Sequence, residues 1–117
     1  MNQHTTDKME NSGIVEEAIL NRIFLIRGMK VMVDSDFAEL YGVGTKVLNQ
    51  AVTSNSSRFP NDFMFQLSDQ EWAILRSQIV TASWNKRRGS RFVFTEHGVL
   101  MLSSVLNSER AIAVKTR

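Results

Sequence analysis

The stretch 34–52, DSDFAELYGVGTKVLNQAV, constrains the fold more than any other part of the chain. Asp34-Ser35-Asp36 suits a helix start, where a carboxylate or hydroxyl satisfies free amides and favours the positive helix end. A short helix is predicted from there to Tyr41. After Gly42, Leu48, Ala51 and Val52 recur at i, i+3 and i+4, so a second helix from Thr45 to about Ser54 carries them on one face. Two short helices meet at a glycine corner.

The same glycines invite a nucleotide-loop reading, which fails on spacing. A Walker loop needs Gly-x-x-x-x-Gly-Lys-Ser/Thr after a strand, so that backbone amides wrap phosphates and lysine reaches them. Here Lys46 follows Thr45, Gly42 and Gly44 stand two apart, and a helix precedes them. The dinucleotide fingerprint fails too, because Val47 takes the place of its third glycine. A helix-turn-helix asks for a small residue at the crossing, a turn residue tolerant of positive φ, and apolar residues flanking the corner. Ala38, Gly42, and Tyr41 with Val43 supply these, and Leu48 and Ala51 face back onto the first helix.

If Leu48, Ala51 and Val52 point inward, Lys46, Asn49, Gln50 and Thr53 point outward at 100° per residue. Asn49 and Gln50 suit bidentate bonds to adenine edges, and Lys46 reaches guanine or phosphate. Thr45, at the helix start, suits a phosphate. The bland reading of the same pattern is a solvated, amide-rich face on an ordinary helical hairpin.

Elsewhere the chain alternates short strands and helices. Ile23-Phe24-Leu25-Ile26 and Val31-Met32-Val33 read as a hairpin around Arg27-Gly28-Met29-Lys30. A helical start over 15–20 is predicted, since Val15, Ala18 and Ile19 share a face. Phe63 to Leu67 and Arg91 to Phe94 read as two further strands. Ser68-x-x-Glu71 is a capping box that opens a helix through Trp72, Leu75 and Ile79. Trp72 belongs to its apolar face, whereas the setting of Trp84 stays open. Thr95 caps a helix through Val99, Leu102 and Leu106, and Asn107-Ser108 is expected to break it and restart a last helix over 109–117. The fold class is therefore α+β, with an N-terminal hairpin, a helix-turn-helix-like pair, two more short strands and C-terminal helices in one compact domain over 14–117. Residues 1–13 are polar and aperiodic, and are expected to form a disordered arm.

Charge is uneven. Residues 1–43 carry a net −3 and residues 44–117 a net +5, and the window 72–95 holds Arg76, Lys86, Arg87, Arg88 and Arg91 with no acid. That imbalance suggests a polyanionic partner, with the basic loop and Arg58 as phosphate contacts. There is no cysteine, His4 and His97 lie far apart, and no apolar run approaches the ~20 residues of a membrane span. No metal, cofactor, membrane association or signal peptide is expected, and the location is expected to be cytoplasmic. Thr95-Glu96-His97-Gly98 lacks a nucleophile placed by sequence, so the chain is not expected to be an enzyme.

The assembled residues resemble the phage-associated ORF-six-N domain family, a relative of the KilA-N and Bro N-terminal domains of phage antirepressors. The resemblance runs from about Ile14 to Val114. It is carried by Ile26-Arg27-Gly28, by VMVDSDFAELYGV at 31–43, by Thr45-Lys46 and Leu48-Asn49, by RFPNDFMFQL at 58–67, Arg76-Ser77-Gln78 and FTEHGV at 94–99, and by MLSSVLNSERAI at 101–112. It implies a DNA-binding module without catalytic activity, often joined to another domain. Gly44 departs from the family's usual polar or charged residue, and Val47 and the stretch 53–57 lack basic residues that relatives often carry there, which weakens the case for phosphate contacts. The family's final helix usually runs further than this chain, so truncation there is expected. The resulting expectation is a duplex-DNA-binding domain of a phage or prophage regulator, reading the major groove with helix 45–54 and strengthened by homodimerisation. The contacts assigned are Thr45, Lys46, Asn49, Gln50, Thr53, Arg58, Lys86, Arg87, Arg88 and Arg91, with Ala38 and Gly42 forming the corner. The alternative is a protein-interaction module that binds a repressor or host factor.

Overall fold

Ile26 and Met29 pair across a turn made of Arg27 and Gly28 alone. Both turn residues have positive φ, 56° and 71°, as a two-residue hairpin turn of matching twist requires. Strand β1 (Phe24–Ile26) therefore runs directly into β2 (Met29–Val33), which starts two residues earlier than the apolar run suggests. This computed structural model describes residues 19–79, 84, 87, 89, 90 and 92–116, with 110–116 as backbone only. The expected arm over 1–13 and the start of the 15–20 helix lie outside them; Ile19 and Leu20 are helical.

Helix α1 (Asp34–Tyr41) follows β2 without a loop, and α2 (Thr45–Ser54) follows the corner. A 3-10 turn, Ser56–Arg58, leads to β3 (Met64–Gln66), α3 (Asp69–Ser77), β4 (Phe92–Thr95) and α4 (Glu96–Thr116). The strands form one antiparallel sheet in the order β1-β2-β4-β3. The architecture is α+β with the expected elements. The position of β4 between β2 and β3 comes from tertiary pairing.

The sheet is covered on both faces. Met32 and Phe94 turn toward α1, α2 and α4, where they pack with Phe37, Leu48, Val52 and Leu102. Val31, Val33 and Val93 turn the other way, onto Leu75 of α3 with Phe65 and Leu67. This explains why residues 31–33 of β2 and 92–94 of β4 read as unbroken apolar runs, whereas edge strand β1 alternates buried Phe24 and Ile26 with exposed Leu25.

Helix α3 begins as its capping box dictates. Ser68 Oγ accepts the Glu71 N–H at 3.2 Å, and Glu71 Oε1 accepts the Ser68 N–H at 2.9 Å. Helix α4 begins at Thr95, whose Oγ1 accepts the Gly98 N–H at 3.3 Å. The expected break at Asn107-Ser108 does not occur, and α4 runs unbroken through both residues. The Asn107 side chain receives the Tyr41 hydroxyl from α1 instead of capping a new helix. Gly98 sits where α4 touches the loop before β3: a Cβ there would lie 1.9 Å from the Phe63 carbonyl oxygen.

Candidate nucleic-acid interface

The corner between α1 and α2 is closed by backbone geometry. Gly42 adopts φ 78° and ψ 32°, the left-handed conformation that glycine reaches without steric cost. Its N–H faces the carbonyls of Ala38 at 2.9 Å and Glu39 at 3.3 Å, and the Val43 N–H reaches Ala38 O at 3.0 Å. That is the Schellman arrangement, which satisfies carbonyls a helix end otherwise leaves open. Ala38 is buried at the crossing, and Phe37 stacks on Tyr41 with ring centroids 5.3 Å apart.

Helix α2 divides as its periodicity predicts on the inner side. Leu48, Ala51 and Val52 are buried. Lys46, Gln50 and Thr53 are exposed, and Thr45 is half-buried. An open groove of about 720 Å³ runs along the outer face, lined by Lys46, Asn49, Gln50, Thr53 and Ser54. Gly44 is the N-cap residue and offers no side-chain acceptor, so the first-turn amides of α2 lack a side-chain cap. The Asn55 side chain closes the other end by donating to Ala51 O at 2.8 Å. Arg58 is exposed on the turn just beyond.

The ORF6N domain model matches residues 21–105. The chain belongs to the ORF6N domain family. No curated protein and no solved structure gave a match. The matched span covers the whole sheet, the helix pair and the first half of α4, so the corner and the outer face of α2 lie within the ORF6N domain.

Within this ORF6N domain two of the expected contacts have inward partners. Asn49 is half-buried where it lines the groove: its Nδ2 donates to Asp34 Oδ2 at 3.4 Å, and its Oδ1 is shielded from solvent with no donor among the described residues. Arg87 is buried, and its Nε donates to Asp36 Oδ2 at 2.9 Å, while its guanidinium lies over the Phe24 ring at 5.2 Å. Arg87 is thereby corrected from a phosphate contact to a core ion-pair partner. A run of basic residues looks the same in sequence whether a member faces water or an acid 51 positions away. Lys86, Arg88 and Arg91 lie outside the described residues.

The acids of the α1 start, read as helix-favouring charges, have tertiary partners too. Asp34 is fully buried and accepts the Ser35 N–H at 2.7 Å and the Phe92 N–H at 3.4 Å. Burial pushes the Asp36 carboxyl above the ordinary carboxylate range, against the pull of Arg87 and Arg22. Sequence reasoning missed these partners because nothing in local spacing names them.

On the far side of the sheet, Arg27 clasps Glu71 through two bonds of 2.6 and 3.0 Å and lies over the Phe65 ring at 4.0 Å. Trp84, open in the sequence, meets Trp72 edge-to-face at 6.1 Å and carries Arg76 over its ring at 5.2 Å. Thr95 and His97, parts of the superficially catalytic tetrapeptide, have local structural contacts: Thr95 Oγ1 donates to Asp62 O at 2.8 Å, and His97 stacks on Phe63. Among the described residues no cluster of three or more acids, histidines or cysteines is arranged to hold a metal, and no helix is long and apolar enough to cross a membrane.

Proposed function

We propose that this ORF6N domain binds double-stranded DNA, with α2 as the reading helix, as part of a phage or prophage regulator. One observation carries the reading: α2 is locked inward by Leu48, Ala51 and Val52 and presents Lys46, Gln50 and Thr53 along an open groove. A helix held by its inner face, with a cation and an amide on its outer face, has the chemistry for major-groove recognition. Lys46 and Arg58 supply positive charge at its two ends, where they suit phosphates. Family membership supports a phage-associated regulatory role. No catalytic step is assigned. With so few cations on α2, affinity as a monomer is expected to be weak and to rise on homodimerisation. Duplex titration at two salt concentrations tests the reading, because phosphate contacts impose a salt dependence.

A second reading has its own observation. An open apolar groove of about 310 Å³ is lined by Ile23, Met32, Phe94, Val99 and Leu100, the last 70% exposed. That surface favours a protein partner such as a repressor or host factor. Capture of a partner that survives nuclease treatment would support it.

A further inference from the structure

We infer that Asn49 is a positioning residue: through Asp34 it fixes the roll of α2 against the sheet, leaving base reading to Gln50. This rests on the DNA-binding reading of α2 above.

A two-bond match to adenine needs both the amide nitrogen and the amide oxygen of one side chain to face the base edge. Asn49 lines the groove without offering both. Its Nδ2 is directed to Asp34, and its Oδ1 is shielded from solvent. Gln50, one position on, is exposed and lines the same groove. Gln50 is therefore the residue of α2 able to make the adenine pattern.

Asp34 is suited to hold Asn49. It is fully buried, it binds its own helix start through Ser35, and it accepts from the Phe92 backbone at the beginning of β4. Its carboxylate thus joins α1, α2 and the central sheet. The apolar contacts of Leu48, Ala51 and Val52 hold α2 down but are non-directional. A hydrogen bond from the middle of the helix to a fixed carboxylate adds a preferred orientation about the helix axis. On a helix about 10–12 Å across, a roll of about 10° moves side-chain tips by about 1 Å, enough to misplace a base contact.

The test begins with selection from a randomised duplex pool by the full chain, followed by titration of the selected duplex and its single-base variants. Measurements are made where circular dichroism shows every protein fully folded. Asn49→Ala is expected to weaken the selected duplex about tenfold and its single-base variants less, with the order of base preference kept. Gln50→Ala is expected to level the preference at one position. Asn49→Asp places two carboxylates together and should weaken binding, and adding Asp34→Asn should recover most of that loss, which a merely structural role at either site would not produce. In the DNA-free protein, the Asn49 side-chain amide protons should exchange more slowly than those of Gln50. A changed order of base preference in Asn49→Ala, or equal exchange of the two amides, overturns the inference. If the unmodified chain binds no duplex, the DNA reading and the reading role of Gln50 both fail, while slow Asn49 exchange would still uphold the clasp on Asp34.

Discussion

Arg87 meets Asp36 at 2.9 Å with both side chains buried, 7% and 3% exposed, and the pair joins α1 to the segment before β4. Arg22 reaches the same carboxylate at 4.0 Å and Glu39 at 3.1 Å, so the α1 start is the centre of a charged cluster. Breaking a buried pair leaves a charge without compensation, which typically costs about 3–5 kcal/mol. Arg87→Met and Asp36→Asn are each expected to lower stability by about that amount. The double variant should lose less than the sum. Urea denaturation of the three variants checks this, and simple additivity would contradict the coupling.

Acid sensitivity follows from the Arg27–Glu71 clasp. The hydrogen bonds from Arg27, with that from the Ser68 backbone, hold the Glu71 carboxyl at about 2, below its ordinary 4.5. A folded-state value below the unfolded one means stabilisation that is present above about pH 4.5 and lost as pH falls toward 2. Arg27→Ala should flatten this acid limb. Denaturation midpoints of both proteins across that range check it, and parallel curves would contradict it.

Two glycines should fail for different reasons. A Cβ at Gly42 meets nothing within 4 Å, so Gly42→Ala is penalised only by its φ of 78°, at about 1–2 kcal/mol. At Gly98 the backbone is helical, but the Phe63 carbonyl blocks the added carbon, and that carbonyl also accepts the Thr95 N–H at 3.0 Å. Gly98→Ala is expected to cost about 3 kcal/mol or more, despite the higher helix propensity of alanine. Thermal denaturation ranks the two, and a milder effect at Gly98 would contradict the packing described.

These contrasts mark what the sequence discloses and what it hides. The Ser68–Glu71 box, the Ala38–Gly42 corner and the inner face of α2 were legible because each rests on residues within a few positions of one another. The insertion of β4 between β2 and β3 was not, since strand order depends on pairing between distant segments. The inward partners of Asn49 and Arg87 were hidden for a related reason. Helical periodicity assigns a direction to a side chain within about 50°, but a half-buried amide or a guanidinium at the boundary is drawn in by a carboxylate whose location only the tertiary fold defines. Asn107 shows the same effect, because its engagement with Tyr41 removes the breaker that local composition suggested.

The outer face of α2 gives separate expectations for charge and amide. Lys46→Ala should weaken all duplexes alike and reduce the salt slope by about 1, as expected for one lost phosphate contact. Gln50→Ala should leave the slope unchanged and lose about 1–3 kcal/mol only on the preferred sequence. Titrations on the selected and a scrambled duplex separate the two effects, and identical behaviour of the variants would contradict the division of roles.

The most direct test of DNA binding is fluorescence anisotropy of the full chain on duplex and single-stranded forms of the selected site, over a range of salt. The account predicts preference for the duplex and a linear fall of log affinity with log salt, roughly 100-fold between 50 and 200 mM if about four phosphates are neutralised. Salt-independent binding, or equal affinity for single strands, would contradict it.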